Sequence, residues 1–190
     1  MSGGHGHGAV EGSNKSIALL ISVLALFLAL AETLGKSAQT DAISQNVEAS
    51  NLWAFFQAKT IRMTVLRTAG ESAQLQRAGL PEGVGAEAYK VRLDDWTKTV
   101  ARWDTEPETG EGRKELASRA KEAEKRRDTS LARYHHYEIG SAAFQIGIVL
   151  ASAMLITGIA ALAWAAAGLG VAGIVMVAIG LFAPHAVHLV

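Results

Sequence analysis

The sequence predicts an all-α membrane protein: three transmembrane helices, with a long cytoplasmic antiparallel helical stalk inserted between the first and second. Three observations lead there. The 18 Lys and Arg and the 18 Asp and Glu residues of the 190-residue chain are confined, apart from Glu11 and Lys15, to residues 32–138. The 52 residues from Ile139 to Val190 carry no charge. Only three prolines, Pro81, Pro107 and Pro184, punctuate the chain, so long stretches between them are free to propagate as helix.

Residues 1–16 form a Gly/His tail of the composition expected for disorder. His5 and His7, spaced by glycines, are the weak metal-ligating candidates, through two imidazoles and the terminal amine. Two side-chain ligands do not make a selective site, and the polar-tail reading is preferred. The first span is 17–34, where Ser22, Glu32 and Thr33 are the polar interruptions. At 1.5 Å per residue it covers about 27 Å, close to the hydrocarbon thickness. A single preceding Lys and the length of the apolar run favour an uncleaved span over a signal peptide.

The insert, 35–138, reads as three helices, about 36–78, 86–104 and 113–138. The first carries two apolar rows at three-four spacing. One contains Ile43, Val47, Ala54, Ala58, Ile61 and Val65, the other Leu52, Phe55, Phe56, Met63 and Leu66, and two rows predict two packing neighbours. Gly79, Pro81, Gly83 and Gly85 then break the chain. Tyr89, Leu93, Trp96, Val100 and Trp103 follow at intervals of 4, 3, 4 and 3, a coiled-coil seam for a helix lying on another helix. Pro107, Gly110 and Gly112 make the next break. The two returning helices would together run about 68 Å against about 60 Å for the outgoing one, which predicts a stalk with a broken return leg. A compact three-helix bundle is the alternative, and labels at residues 40 and 80 separate the two, about 60 Å apart in the extended form.

The charge-free end is too long for one crossing, so it must fold back. The sequence places the turn at residues 165–168, between Trp164 and the glycines 168, 170 and 173, giving spans 139–164 and 169–187. Pro184, His185 and His188 close the last one. Lys36 and the cluster Arg119 to Arg133 flank the spans on the insert side, against Lys15 alone before the first. That asymmetry puts the insert in the cytoplasm and the N-terminal tail outside.

The chemistry-bearing residues are few. Trp53, Phe55 and Phe56 form the densest aromatic cluster of the insert and, with Trp96 and Trp103, are the interface candidates. Glu32 is an intramembrane carboxylate, yet its place four residues before Lys36 suits an interfacial ion pair. Ser141, Gln145 and Ser152 share one face of the second span, while Ala143, Gly147 and Ala151 form a small-residue row for close helix approach. His135 and His136, between Tyr134 and Tyr137, read as an interfacial belt; adjacent on a helix, they point about 100° apart and cannot chelate one ion. Asp94 and Asp95 read as the solvated flank of Trp96 rather than a catalytic pair.

Zero net charge gives no electrostatic ground for a nucleic-acid partner. The absence of Cys removes disulfides, thiolate metal sites and thiol nucleophiles, and no phosphate loop, H-E-x-x-H or nucleophile elbow occurs. The expectation is therefore no enzyme and no cofactor.

The stretch from Asn51 to Arg62, preceded by Gly35-Lys36-Ser37-Ala38-Gln39-Thr40, resembles a family of bacterial inner-membrane proteins defined only as a domain of unknown function, DUF4337. The likeness covers most of residues 10–190. It implies one N-terminal span, a helical middle, a C-terminal hydrophobic hairpin and a multi-pass location in the bacterial inner membrane, and it transfers no activity or catalytic residue. The expectation that results is a structural or interaction protein that self-associates through its helical insert and spans, with the lipid bilayer and an unidentified protein as further partners. A small channel or transporter subunit, with Glu32, Ser141, Gln145 and Ser152 facing a polar path, is the alternative.

Overall fold

The computed structural model describes residues 7–79 and 81–186. Four helices account for nearly all of them: α1 His7–Ala78, α2 Val84–Asp104, α3 Arg113–Thr157 and α4 Ala160–Phe182. No strand occurs among the described residues. Three of the helices, α1, α3 and α4, are long and apolar enough to cross a membrane. Each proline falls two or three residues beyond a helix end, Pro81 after Ala78, Pro107 after Asp104 and Pro184 after Phe182, where its missing N–H disturbs no helical hydrogen bond.

The break between α3 and α4 has no proline, and the sequence reading misplaces it. The turn lies at Gly158 and Ile159, not at residues 165–168. Gly158 takes the left-handed conformation, φ +71°, and its N–H donates to the Met154 carbonyl at 2.8 Å, the glycine stop of a helix C-terminus. Residues 160–167, by contrast, are six alanines with Leu162 and Trp164, and alanine and leucine are among the best helix formers. Trp164, expected to mark the turn, sits inside α4 and is 80% exposed. The expected span 139–164 thus ends at Thr157, and 169–187 is replaced by a helix that already starts at Ala160. At the other end α1 opens at His7, so residues 7–16, expected within a disordered tail, are helical.

The chain folds as two compact units, Met1–Ile43 with Arg127–Val190 and Ser44–Arg126. In the first, α1, α3 and α4 pack through two apolar clusters. Ile17, Ala151 and Ala166 meet in one, and Leu24, Ala31 and Phe144 in the other, with Phe27 stacked on Phe144 at 5.9 Å. Glycines let the helices approach. A methyl on Gly173 would come within 2.6 Å of the Phe144 ring, and one on Gly180 within 2.7 Å of the Tyr137 ring. Where hydrophobic association is weak, as between helices in lipid, such small-residue contacts hold neighbours together by close packing. His136 and Tyr137 belong to this interior, 1% and 3% exposed, so they are packing residues rather than an exposed belt. The His136 ring Nε2 lies 3.1 Å from the Pro184 carbonyl oxygen, at the end of α4.

In the second unit α2 and the first turns of α3 return antiparallel along α1. Tyr89 of α2 donates to the Gln76 side chain at 3.1 Å, Gly70 faces Leu93 and Trp96, and further down Trp53 meets α3 at Glu124. The core here is Ala49 and Leu52 of α1 with Leu116, Ala120 and Ala123 of α3.

Candidate interaction face on α1

The part of α1 in the second unit has two mostly apolar faces, and its own chain covers one of them. Ala49, Leu52, Lys59, Met63 and Ala73 are buried and Phe56, Leu66 and Gly70 half-buried; the steps between these residues alternate between three and four, so they form one continuous stripe. Against it lie α2 and α3. Across the helix a second stripe runs with the same alternation. Val47, Ala54, Ile61, Thr68 and Leu75 recur every seven residues, and Asn51, Ala58, Val65 and Ser72 fall between them. All nine are exposed; Val47 is 52% exposed, Ile61 and Val65 64% and Leu75 78%. Of the two neighbours that the two rows predict, the structure supplies one.

The covered stripe is pinned at the elbow between α2 and α3, residues 105–112. Lys59 reaches out of α1, 6% exposed, donates to the Glu111 carbonyl oxygen and lies 3.8 Å from the Glu106 carboxylate. Glu106 in turn uses its backbone N–H to reach the Glu115 carboxylate at 3.2 Å. Asp104 accepts from Arg113 at 2.7 Å and Lys114 at 3.0 Å, and these two cations hold its carboxyl below the usual carboxylate range, Lys114 contributing most. Gly110 turns the loop with φ +67°, a conformation that side chains disfavour. The sequence marks Pro107, Gly110 and Gly112 as the break here, but not the charged contacts of Lys59, Glu106 and Glu111 across it. Lys59 appears there as one charge on a charged helix, and only the loop folding over it makes it interior.

The aromatic interface candidates divide. Trp53 and Phe56 turn inward: they contact each other edge to face at 5.4 Å, pack on the α1–α3 core, and the Trp53 indole donates to Glu124 at 2.8 Å. Trp96 is half-buried against α1 with Arg92 5.8 Å from its ring, and Trp103 is half-buried. Phe55 remains 38% exposed beside the uncovered stripe.

In the first unit Ser141 and Ser152 donate to carbonyl oxygens of their own helix, Glu138 at 2.9 Å and Ile148 at 2.8 Å. Gln145 is different. Its amide donates to the Glu32 carboxylate at 3.2 Å, so a donor from α3 takes the place of the expected Lys36, and both side chains are exposed. Gly147 and Ala151 of the small-residue row are buried, Gly147 against Leu24 and the Ala166 carbonyl. His5 lies outside the described residues, as does the side chain of His7. Among the described residues no group of three or more His, Cys, Asp or Glu side chains is placed to hold a metal ion.

The comparison of the chain with family models decides its kinship: the model of the domain of unknown function DUF4337 matches residues 13–183. The chain belongs to the DUF4337 family. No curated protein and no solved structure matches it. The match of this DUF4337 chain takes in nearly all of α1 and the whole of α2, α3 and α4, so both faces of α1 and the elbow belong to the family domain.

Proposed function

We propose that this DUF4337 protein is a non-enzymatic, multi-pass protein of the bacterial inner membrane that self-associates and presents a cytoplasmic helical stalk to its own kind or to a partner. The carrying observation is the stripe on α1 that the chain leaves uncovered from Val47 to Leu75. A soluble helix face of this length without charge is costly to leave in water, and it faces away from the helices that already pack on α1. Membrane residence is supported by the three apolar helices and by the charge-free C-terminal 52 residues. With the turn at Gly158, the apolar part of α3 from Ile139 spans about 28 Å and α4 about 34 Å, both near the hydrocarbon thickness. The excess of Lys and Arg beside the spans on the insert side supports a cytoplasmic insert.

The Glu32–Gln145 pair supports a second reading, a small channel or transporter subunit, because an exposed carboxylate and amide on apolar helices need a polar environment. Against it, the serines that would extend a polar path are bonded within their own helix. Native mass in mild detergent, paired with flux through reconstituted liposomes, separates the two. An assembly larger than one chain without flux is expected; flux that Gln145→Leu abolishes overturns the proposal in favour of the channel.

A further inference from the structure

We infer that the uncovered stripe of α1 pairs with the same stripe of a second copy, parallel and in register, as a two-stranded coiled coil from Val47 to Leu75. The inference rests on the membrane-anchored, self-associating reading and names its contact. From Val47 onward the exposed positions follow one another at 4, 3, 4, 3, 4, 3, 4 and 3 residues, the heptad repeat that lets two helices keep one seam facing the other by supercoiling. No position of the seam carries a charge, so two copies meet without burying one.

The flanks agree. In a parallel pair in register, each residue before an inner seam position faces the residue five places on in the second copy. That sets Gln57 beside the second copy's Arg62 and Glu71 beside its Gln76, and opposes no two like charges. Asn51 falls where a buried Asn faces its twin, which fixes register and favours two strands at some cost in stability. Chains inserted with one orientation send α1 out of the same membrane face, which leaves the parallel arrangement as the accessible one. The opposite face of α1 is already occupied by α2 and α3, so the seam can pair without displacing anything.

Size sets how strong the pair is. About 42 Å of helix roughly 10 Å wide presents about 400 Å² in projection, or about 800 Å² for two copies before side-chain relief is added, close to the ~1,000 Å² floor of specific interfaces. A seam of that size with Ala54, Ala58, Thr68 and Ser72 among its residues suits partners confined to one membrane, where local concentration is high.

The chain has no Cys, so single cysteines report cleanly. Full-length Ala54→Cys, Ala58→Cys and Val65→Cys, oxidised in native membranes, are expected to give covalent dimers at least about tenfold more than Arg67→Cys and Gln74→Cys, which are exposed away from the seam. Ile61→Glu, at a site 64% exposed within the single chain, is expected to abolish the Ala58→Cys dimer with helicity unchanged. Equal cross-linking at seam and off-seam positions, or persistence with Ile61→Glu, overturns the seam. A larger-than-monomer native mass with no seam cross-link overturns the seam and leaves self-association standing; a monomer without cross-links overturns both.

Discussion

Among the described residues Lys59 is the only Lys, Arg, Asp or Glu that is buried, and the elbow should depend on what balances it. Glu106→Ala would leave the ammonium with the Glu111 carbonyl as its acceptor. Removing one partner of a fully buried pair costs about 3–5 kcal/mol. Here the pair is 3.8 Å apart and the Glu106 side chain is 24% exposed, so water reaches part of it and the cost falls to roughly 2 kcal/mol, or about a 30-fold rise in local opening. Lys59→Met behaves differently: it keeps an apolar stem beside Phe55, 5.5 Å from the ammonium in the native chain, and returns Glu106 to water, for about 1 kcal/mol or less. The double variant should cost no more than Lys59→Met alone. Hydrogen exchange on the full-length chain in mild detergent, followed at residues 105–112 and the first turn of α3, reads these openings. Faster exchange in Lys59→Met than in Glu106→Ala, or less than about threefold change in both, refutes the account of a buried charge balanced across the elbow.

Three further outcomes follow from the same geometry. Asp104 has its carboxyl lowered by Lys114 and Arg113, so its contribution is complete above the unfolded value near 3.9 and is lost as pH falls through the lower folded value; acid titration of the elbow by hydrogen exchange should show a loosening below about pH 4 that Asp104→Asn removes. Trp53→Phe deletes the indole donor to Glu124 while keeping the ring against Phe56, and should destabilise the second unit by about 1 kcal/mol in a urea titration followed by near-ultraviolet dichroism. Gly173→Ala drives a methyl to 2.6 Å from the fully buried Phe144 ring; overpacking of this kind costs about 1–3 kcal/mol, read as an earlier thermal transition in detergent, and Phe144→Leu in the same chain should recover most of it.

What the sequence made legible is what rests on composition and period. Charge segregation located the apolar helices, Pro81 and Pro107 with their neighbouring glycines located the C-terminal ends of α1 and α2, and three-four spacing exposed both faces of α1 before any neighbour was known. The hairpin turn was misread because Gly158 is a lone glycine, whereas glycines 168, 170 and 173 form a visible group. A group of glycines marks either a turn or a close helix contact, and Gly170 and Gly173 serve the second purpose, against Leu24 and Phe144. Trp53 and Phe56 read from the sequence as packing on the returning leg or on a second subunit, and local pattern does not choose between the two because their partners, Glu124 and the core around Leu116, lie sixty or more residues away in the chain. Lys59 was illegible for the same reason, since its burial comes from a loop that the sequence shows only as Pro and Gly. The Glu32–Gln145 pair needed the register between α1 and α3, which no local pattern encodes.

The most direct measurement is the native mass of the 20.0 kDa chain released in mild detergent from the membranes of the cells that express it. Self-association through helices predicts recovery from the membrane fraction at about 40 kDa of protein, twice one chain. Recovery at the mass of a single chain, or from the aqueous fraction, contradicts it.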